Sequence, residues 1–269
     1  MSRAKRQHIP SGTLSDLIAR FSKADVIAVM EKEYQSAPAR LIPLSLIDDT
    51  EILSSVELPE KTVEYFAEGL REKGFYNPLV VRARNDRFEL VLGRKRFYGA
   101  RHAGIRSVPC VVLDIGDEEL LLMLLADARD QRDNNILEMA LVCDALQSKF
   151  NYPQKTLAEI SHQSRSQVTN ILRVLKLPKS LQKELAKGNL SYGHAKALAG
   201  LDEDKMLEVG KYALSHHLSV HQLEDYLRIQ EEGEHLDPRI YIDEHEVHVC
   251  YASEEEKEEI LAALRKIKK

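Results

Sequence analysis

Residues Gln154 to Pro178 read QKTLAEISHQSRSQVTNILRVLKLP, a pattern of two short helices joined by a tight corner. Leu157 and Ile160 repeat at helical spacing in the first. Val168, Ile171, Leu172 and Leu175 do so in the second, so each has one face to bury. Between them SHQS, Ser161 to Ser164, supplies hydroxyls that start helices well. A corner of this size fits a helix-turn-helix, whose second helix lies in a DNA major groove. That helix offers Arg165, Ser166, Gln167, Thr169, Asn170 and Arg173 on its outward side. Arginine, glutamine and asparagine make the two-pronged hydrogen bonds that tell base edges apart.

Charge agrees with this reading. From Asn151 to Gly200 the cations are Lys155, Arg165, Arg173, Lys176, Lys179, Lys183, Lys187 and Lys196, against only Glu159 and Glu184. Eight minus two leaves six positive charges in excess, in a chain whose net charge is −5. Such a local surplus attracts backbone phosphates. Downstream, Ser191 caps a helix whose first turns hold Gly193, His194 and Lys196, where backbone N–H groups can meet a phosphate. The pattern alone leaves two alternatives open: a helical hairpin with a solvated basic face, and a structural role for His194.

Working outward, 269 residues suit two or three modest domains. The three cysteines, Cys110, Cys143 and Cys250, lack metal-ligand spacing, and their odd number suggests free thiols in a reducing cytosol. No secretory signal follows Arg3, Lys5 and Arg6, and the apolar run Leu120 to Ala126 is too short to span a bilayer. Residues 1–38 read as a tail with one short helix carrying Leu14, Leu17, Ile18 and Phe21. Asp16 and Asp25 argue against a membrane-surface helix there.

From Arg40 the pattern becomes mixed. RLIPLSLI is a short strand broken by proline, Glu60 to Gly74 an amphipathic helix, and Pro78–Arg82 and Arg87–Gly93 are strands around an Asn85-Asp86 turn. A helix from Arg94 and the strand SVPCVVLDI follow, then the leucine-rich helix Asp117 to Ala128 and a helix from Ile136 to Phe150. Gly93, Arg94, Lys95 and Arg96 stand where a strand turns into a helix. Glycine, a helix start and three cations together form a candidate phosphate cradle. Two strands and an apolar-faced helix end the chain, and they cannot bury that face alone, so a symmetric dimer is expected. The terminal RKIKK suits a helix C-terminus.

SRSQVTNILRVLKLP (Ser164 to Pro178) followed by GNLSYGHAKALAGL (Gly188 to Leu201) resembles the central domain of the ParB partition proteins, whose pattern runs SRSxIxNxLRLLxLP and then GxLSxGHARALL. Upstream, IPLSLI, GFYNPLVVR and FELVLGRKRFYGARHAGIRSVPCVV resemble the ParB amino-terminal domain. The resemblance implies a dimer that binds a parS-like palindrome in chromosome or plasmid partition, with a ParA-type ATPase as partner. It implies that Arg3, Lys5, Arg6 or Arg20 stimulates that ATPase, that CTP with Mg2+ is a cofactor, and that the protein is cytoplasmic and nucleoid-associated.

The chain also departs from the family's pattern. GRKRFYGA occupies the place of the family's GERRxRAA, which contacts CTP. Arg94 replaces glutamate, Lys95 and Tyr98 replace arginines, and Gly99 replaces alanine. The family's NPxQPR segment reads DDTEILSSVELPE, and its ENxQRxDLNPxEEA reads DARDQRDNNILEMA, with Asp127 and Ala128 at the magnesium- and nucleotide-holding pair. Aspartate still offers magnesium an oxygen, whereas alanine offers no ligand atom. The expectation is that CTP hydrolysis is lost or weak.

The expected architecture is α+β. A tail (1–38) precedes a small mixed nucleotide-binding-type domain (39–116), an all-helical DNA-binding domain (117–230) and a ββα dimerisation domain (236–269). No catalytic residue or metal ligand is assigned. The alternatives are a transcription regulator or nucleoid-occlusion factor on the same scaffold, and a nuclease, for which no convincing metal spacing is visible.

Overall fold

The computed structural model describes residues 38–130, 135–232, 240–242, 247–249, 257–258 and 260–262. The expected tail with its basic residues, most of the C-terminal helix and the RKIKK end lie outside them. The chain separates into two compact units that divide between Leu172 and Arg173.

The first unit opens with β1 (Arg40–Pro43), a 3-10 turn (Leu44–Leu46) and β2 (Ile47–Asp48). Pro43 has no N–H to continue a ladder, so the expected single strand becomes two. They go to opposite edges of a five-stranded sheet, in the order β1-β5-β3-β4-β2. The others are β3 (Leu79–Arg84), β4 (Arg87–Leu92) and β5 (Ser107–Leu113). β1 runs antiparallel to β5, and β2 parallel to β4. From Pro43 to Ile47 the backbone reaches about 15 Å at most. The edges of five flat strands lie about 19 Å apart. The sheet therefore curls. β3 and β4 form a hairpin, and Asn85 adopts the left-handed conformation its turn needs (φ 54°).

α1 (Glu60–Lys73) and α2 (Arg94–His102) pack on each other and bury Leu70, Phe97 and Ala100 with Leu79, Val81, Leu90 and Val108 of the sheet. Their crossing explains Gly99. A Cβ there would lie 2.8 Å from the Phe66 Cβ and 3.0 Å from its carbonyl carbon. Gly99→Ala, although it restores the alanine of the resembling family, is expected to cost about 1–3 kcal/mol in overpacking. Helix propensity returns only about 1 kcal/mol. Thermal denaturation of the variant should give a lower midpoint.

α3 (Asp117–Asp130) and α4 (Ile136–Phe150) complete this core; Leu120–Met123, Leu125 and Ala126 of α3 are buried. Sequence pattern groups these helices with those downstream. Here polar ties hold them to the sheet. Arg82 and Glu89, opposite each other on β3 and β4, are both buried. The Arg82 guanidinium donates to Glu89 (2.6 Å) and to Asp117 at the start of α3 (2.5 Å). That hydrogen bond holds the Asp117 carboxyl below the usual range. The Tyr152 hydroxyl donates to Glu118 at 2.8 Å. Asn135 caps α4, accepting from Leu137 N–H at 3.0 Å.

The unit ends with α5 (Gln154–Ser161) and most of α6 (Arg165–Arg173). The apolar pattern suggested one helix through Leu175. Instead α6 stops at Arg173 and a 3-10 turn (Val174–Lys176) follows, because Leu177 precedes a proline and is extended. In the second unit come α7 (Lys179–Ala186), α8 (Tyr192–Leu198), α9 (Glu203–Ser215), α10 (Val220–Glu232) and the antiparallel pair β6 (Ile240–Ile242) and β7 (Val247–Val249). The described residues from 257 to 262 are helical. No helix among the described residues is long and apolar enough to cross a membrane.

Candidate nucleic-acid interface

The corner forms as its residues dictate. Leu157 and Ile160 bury one face of α5, and Val168 and Ile171 bury one face of α6. His162 ends α5 in the left-handed conformation (φ 53°). Ser161, expected among the helix-starting hydroxyls, is instead buried and donates to the Leu157 carbonyl at 2.7 Å. Ser164 alone starts α6. Its Oγ accepts from Gln167 N–H at 3.1 Å, and the Gln167 side chain accepts from Ser164 N–H at 2.7 Å. This reciprocal cap fixes the helix start.

Arg165, Ser166, Gln167 and Thr169 are exposed on α6, and Asn170 is half-buried. Their freedom differs. Gln167 is engaged in the cap. Ser166 bonds Ser164 at 2.9 Å, and the Thr169 hydroxyl reaches Gln154 Oε1 at 2.9 Å and the Arg165 carbonyl at 3.0 Å. Arg165 and Asn170 make no side-chain hydrogen bond among the described residues.

The remaining expected DNA contacts lie in the second unit. Lys176, Lys179 and Lys196 are exposed. Arg173 is half-buried, and its Nη2 donates to the Ala199 carbonyl, beyond the end of α8, at 3.2 Å. His194 is a cap: its Nδ1 accepts from Ser191 N–H (3.1 Å), and Ser191 caps α8 in return. Its Nε2 lies 2.8 Å from the Leu218 carbonyl. With Nδ1 as acceptor, Nε2 is the nitrogen that donates to the Leu218 carbonyl. Gly193 is demanded by packing, since a Cβ there would meet Val220 at 2.7 Å. Arg173, Gly193 and His194, expected at DNA, thus have internal roles.

The strand-to-helix turn is likewise more internal than the sequence suggests. Gly93 has φ 99°, and a Cβ would come within 2.8 Å of Leu79 and 3.0 Å of the Arg96 guanidinium. Arg94 points inward. It donates to Asp49 (2.7 Å), Glu138 (2.5 Å) and the Leu53 carbonyl (2.8 Å), and also to the Val56 carbonyl. Tyr98 donates to the same Asp49 at 2.8 Å. Burial pushes the Glu138 carboxyl up, against the pull of Arg94. Burial opposes the charge on Arg94 too, but Asp49 and Glu138 outweigh it and raise its pKa. Arg96 donates to the carbonyls of Asn77 (2.5 Å) and Pro78 (3.0 Å). Lys95 and Asp127 are half-buried.

The model of the ParB N-terminal domain matches residues 28–128, and that of the ParB HTH domain matches residues 132–232. The probable chromosome-partitioning protein ParB of Pseudomonas putida is 31% identical over 203 residues, 75% of this chain and 68% of that protein.

The chain belongs to the ParB family.

Among solved structures, the C-terminally truncated ParB of Caulobacter crescentus complexed to the centromeric parS site is 30% identical, covering 70% of this chain and 97% of its own, with a TM-score of 0.37. The same protein complexed with CTP-gamma-S is 29% identical, covering 65% and 97%, with a TM-score of 0.32.

A ParB-family cradle for CTP would sit at Gly93–Arg96, where two of the three cationic side chains already have internal partners. Arg94 donates to carboxylates and carbonyls and Arg96 to carbonyls, and Arg94 binds two acids that would repel phosphate. Gly93 leaves room for Leu79 and Arg96. The sequence reading missed Asp49 and Glu138 as partners of Arg94. It also missed Gln154 beside Thr169, and Gln182, a buried amide in α7. Among the described residues no three His, Cys, Asp or Glu side chains are grouped to hold a metal.

Proposed function

We propose that this chain is a sequence-specific DNA-binding partition protein that recognises a parS-like palindrome as a homodimer. The observation that carries the proposal is the capped α5–α6 corner, which leaves Arg165 and Asn170 available on an exposed face beside Ser166, Gln167 and Thr169. Arg165 and Asn170 read base edges. Lys176, Lys179 and Lys196 meet phosphates. Membership of the ParB family, whose Caulobacter member is complexed to parS, supports the same role. The β6–β7 pair, too small a sheet to stand alone, supports a two-fold partner. A ParA-type ATPase is the motor partner, and the site of action is the cytoplasmic nucleoid.

Fluorescence anisotropy with palindromic and scrambled duplexes tests this. The palindrome is expected to bind more tightly, with log K falling by about 0.9 per phosphate contact for each unit of log salt. Arg165→Ala should cost about 1–3 kcal/mol and relax one base position. A chain that ignores every duplex at low ionic strength refutes the reading. In genome-wide mapping, a few sharp peaks spreading over kilobases indicate partition, and isolated promoter peaks a regulator.

CTP takes a lesser part in this proposal. With Arg94 and Arg96 engaged and Ala128 without a ligand atom, isothermal titration with CTP and Mg2+ is expected to give weak heats and no phosphate release. Tight binding followed by hydrolysis would overturn that.

A further inference from the structure

Gln182 is a polar side chain in an apolar position. It lies in the first turns of α7, 4% exposed, between the buried Leu181 and Leu185. All of its amide is used. Nε2 has two hydrogens, and it donates to the Leu177 carbonyl at 2.8 Å and the Leu175 carbonyl at 3.0 Å. Oε1 accepts from Lys179 Nζ at 3.1 Å. The opposite orientation would set Oε1 against two carbonyls and Nε2 against an ammonium, so chemistry permits only one. The captured carbonyls flank Lys176 in the turn that follows α6, and both Lys176 and Lys179 are exposed.

We infer that Gln182 is a positioning residue for DNA binding. Its two bonds to the Val174–Pro178 turn fix the amide in place, and from there it aims the Lys179 ammonium. This rests on the DNA-binding reading above. An ammonium has three N–H groups; one on Gln182 leaves two for a phosphate. A lysine held in this way binds phosphate without first losing its rotamer freedom, and preorganisation of that kind strengthens binding without adding a contact. A polar group serving packing alone would have no need of an exposed lysine as its third partner.

The test is a double-mutant cycle in the full chain, with Gln182→Met, Lys179→Met and the pair. Each is assayed by duplex anisotropy across a salt series at temperatures where circular dichroism shows the variant folded. Lys179→Met should lower the slope of log K against log salt by about 0.9, one phosphate contact. Gln182→Met should weaken binding about tenfold beside Lys179 and less than threefold beside Met. An equal loss in both backgrounds would make Gln182 merely structural and overturn the inference. Should Gln182→Met fail to fold, the Lys179→Met slope still decides: a slope equal to wild type overturns it. Wild-type chain that binds no duplex would instead sink the DNA-binding reading itself, and this inference with it.

Discussion

Arg94→Ala should destabilise the first unit by roughly 3–5 kcal/mol, the range seen when one partner of a buried ion pair is removed. The Arg94 side chain is 10% exposed and that of Asp49 6%. Alanine strands Asp49 and Glu138 in low dielectric without their cation. It also leaves the Leu53 and Val56 carbonyls without this donor. Arg94→Lys restores the charge but not the flat fork that meets four acceptors at once, so it should recover only part of the loss. Urea unfolding followed by circular dichroism measures this. An unchanged midpoint would mean that water already solvates the cluster.

Arg173→Ala should weaken duplex binding about tenfold for every sequence alike and leave base preference unchanged. Its guanidinium is tied to the Ala199 carbonyl, so its loss loosens the scaffold of the second unit instead of erasing one base contact. A charged donor on a carbonyl contributes about 1.5–3 kcal/mol, and a tenfold change corresponds to about 1.4 kcal/mol. Binding selection from a randomised palindrome library separates the two roles. A profile relaxed at a single position would show that Arg173 leaves Ala199 to read a base.

Much of this was legible in the chain. Helical spacing located α5 and α6, and period-two runs with Asn85-Asp86 located the β3–β4 hairpin. Ser164 and Gln167 also spell a capping box, which says that Gln167 faces back along its own helix. His194 was not legible, because a histidine closing a cap is told from a free one only by the Leu218 carbonyl, brought near by the fold. The departures from the ParB boxes are instructive. Arg94 for glutamate and DDTEILSS for NPxQPR look like two separate erosions of a nucleotide site. In the fold they meet as one compensating pair, Arg94 on Asp49. Pairing across 45 residues is a tertiary fact that no window of sequence contains.

The curled sheet also sets the order in which this chain can fold. β1 and β2 are neighbours along the polypeptide, yet β1 must wait for β5, whose first paired residue is Ser107, and β2 for β4. Such high contact order slows folding, since long loops must close before the β1–β5 and β2–β4 ladders form. During synthesis β1 and β2 emerge unpaired, the hairpin of β3 and β4 is the first antiparallel ladder able to form, and the β3 edge stays bare until β5 leaves the ribosome. That nascent interval is when this unit is most exposed to aggregation.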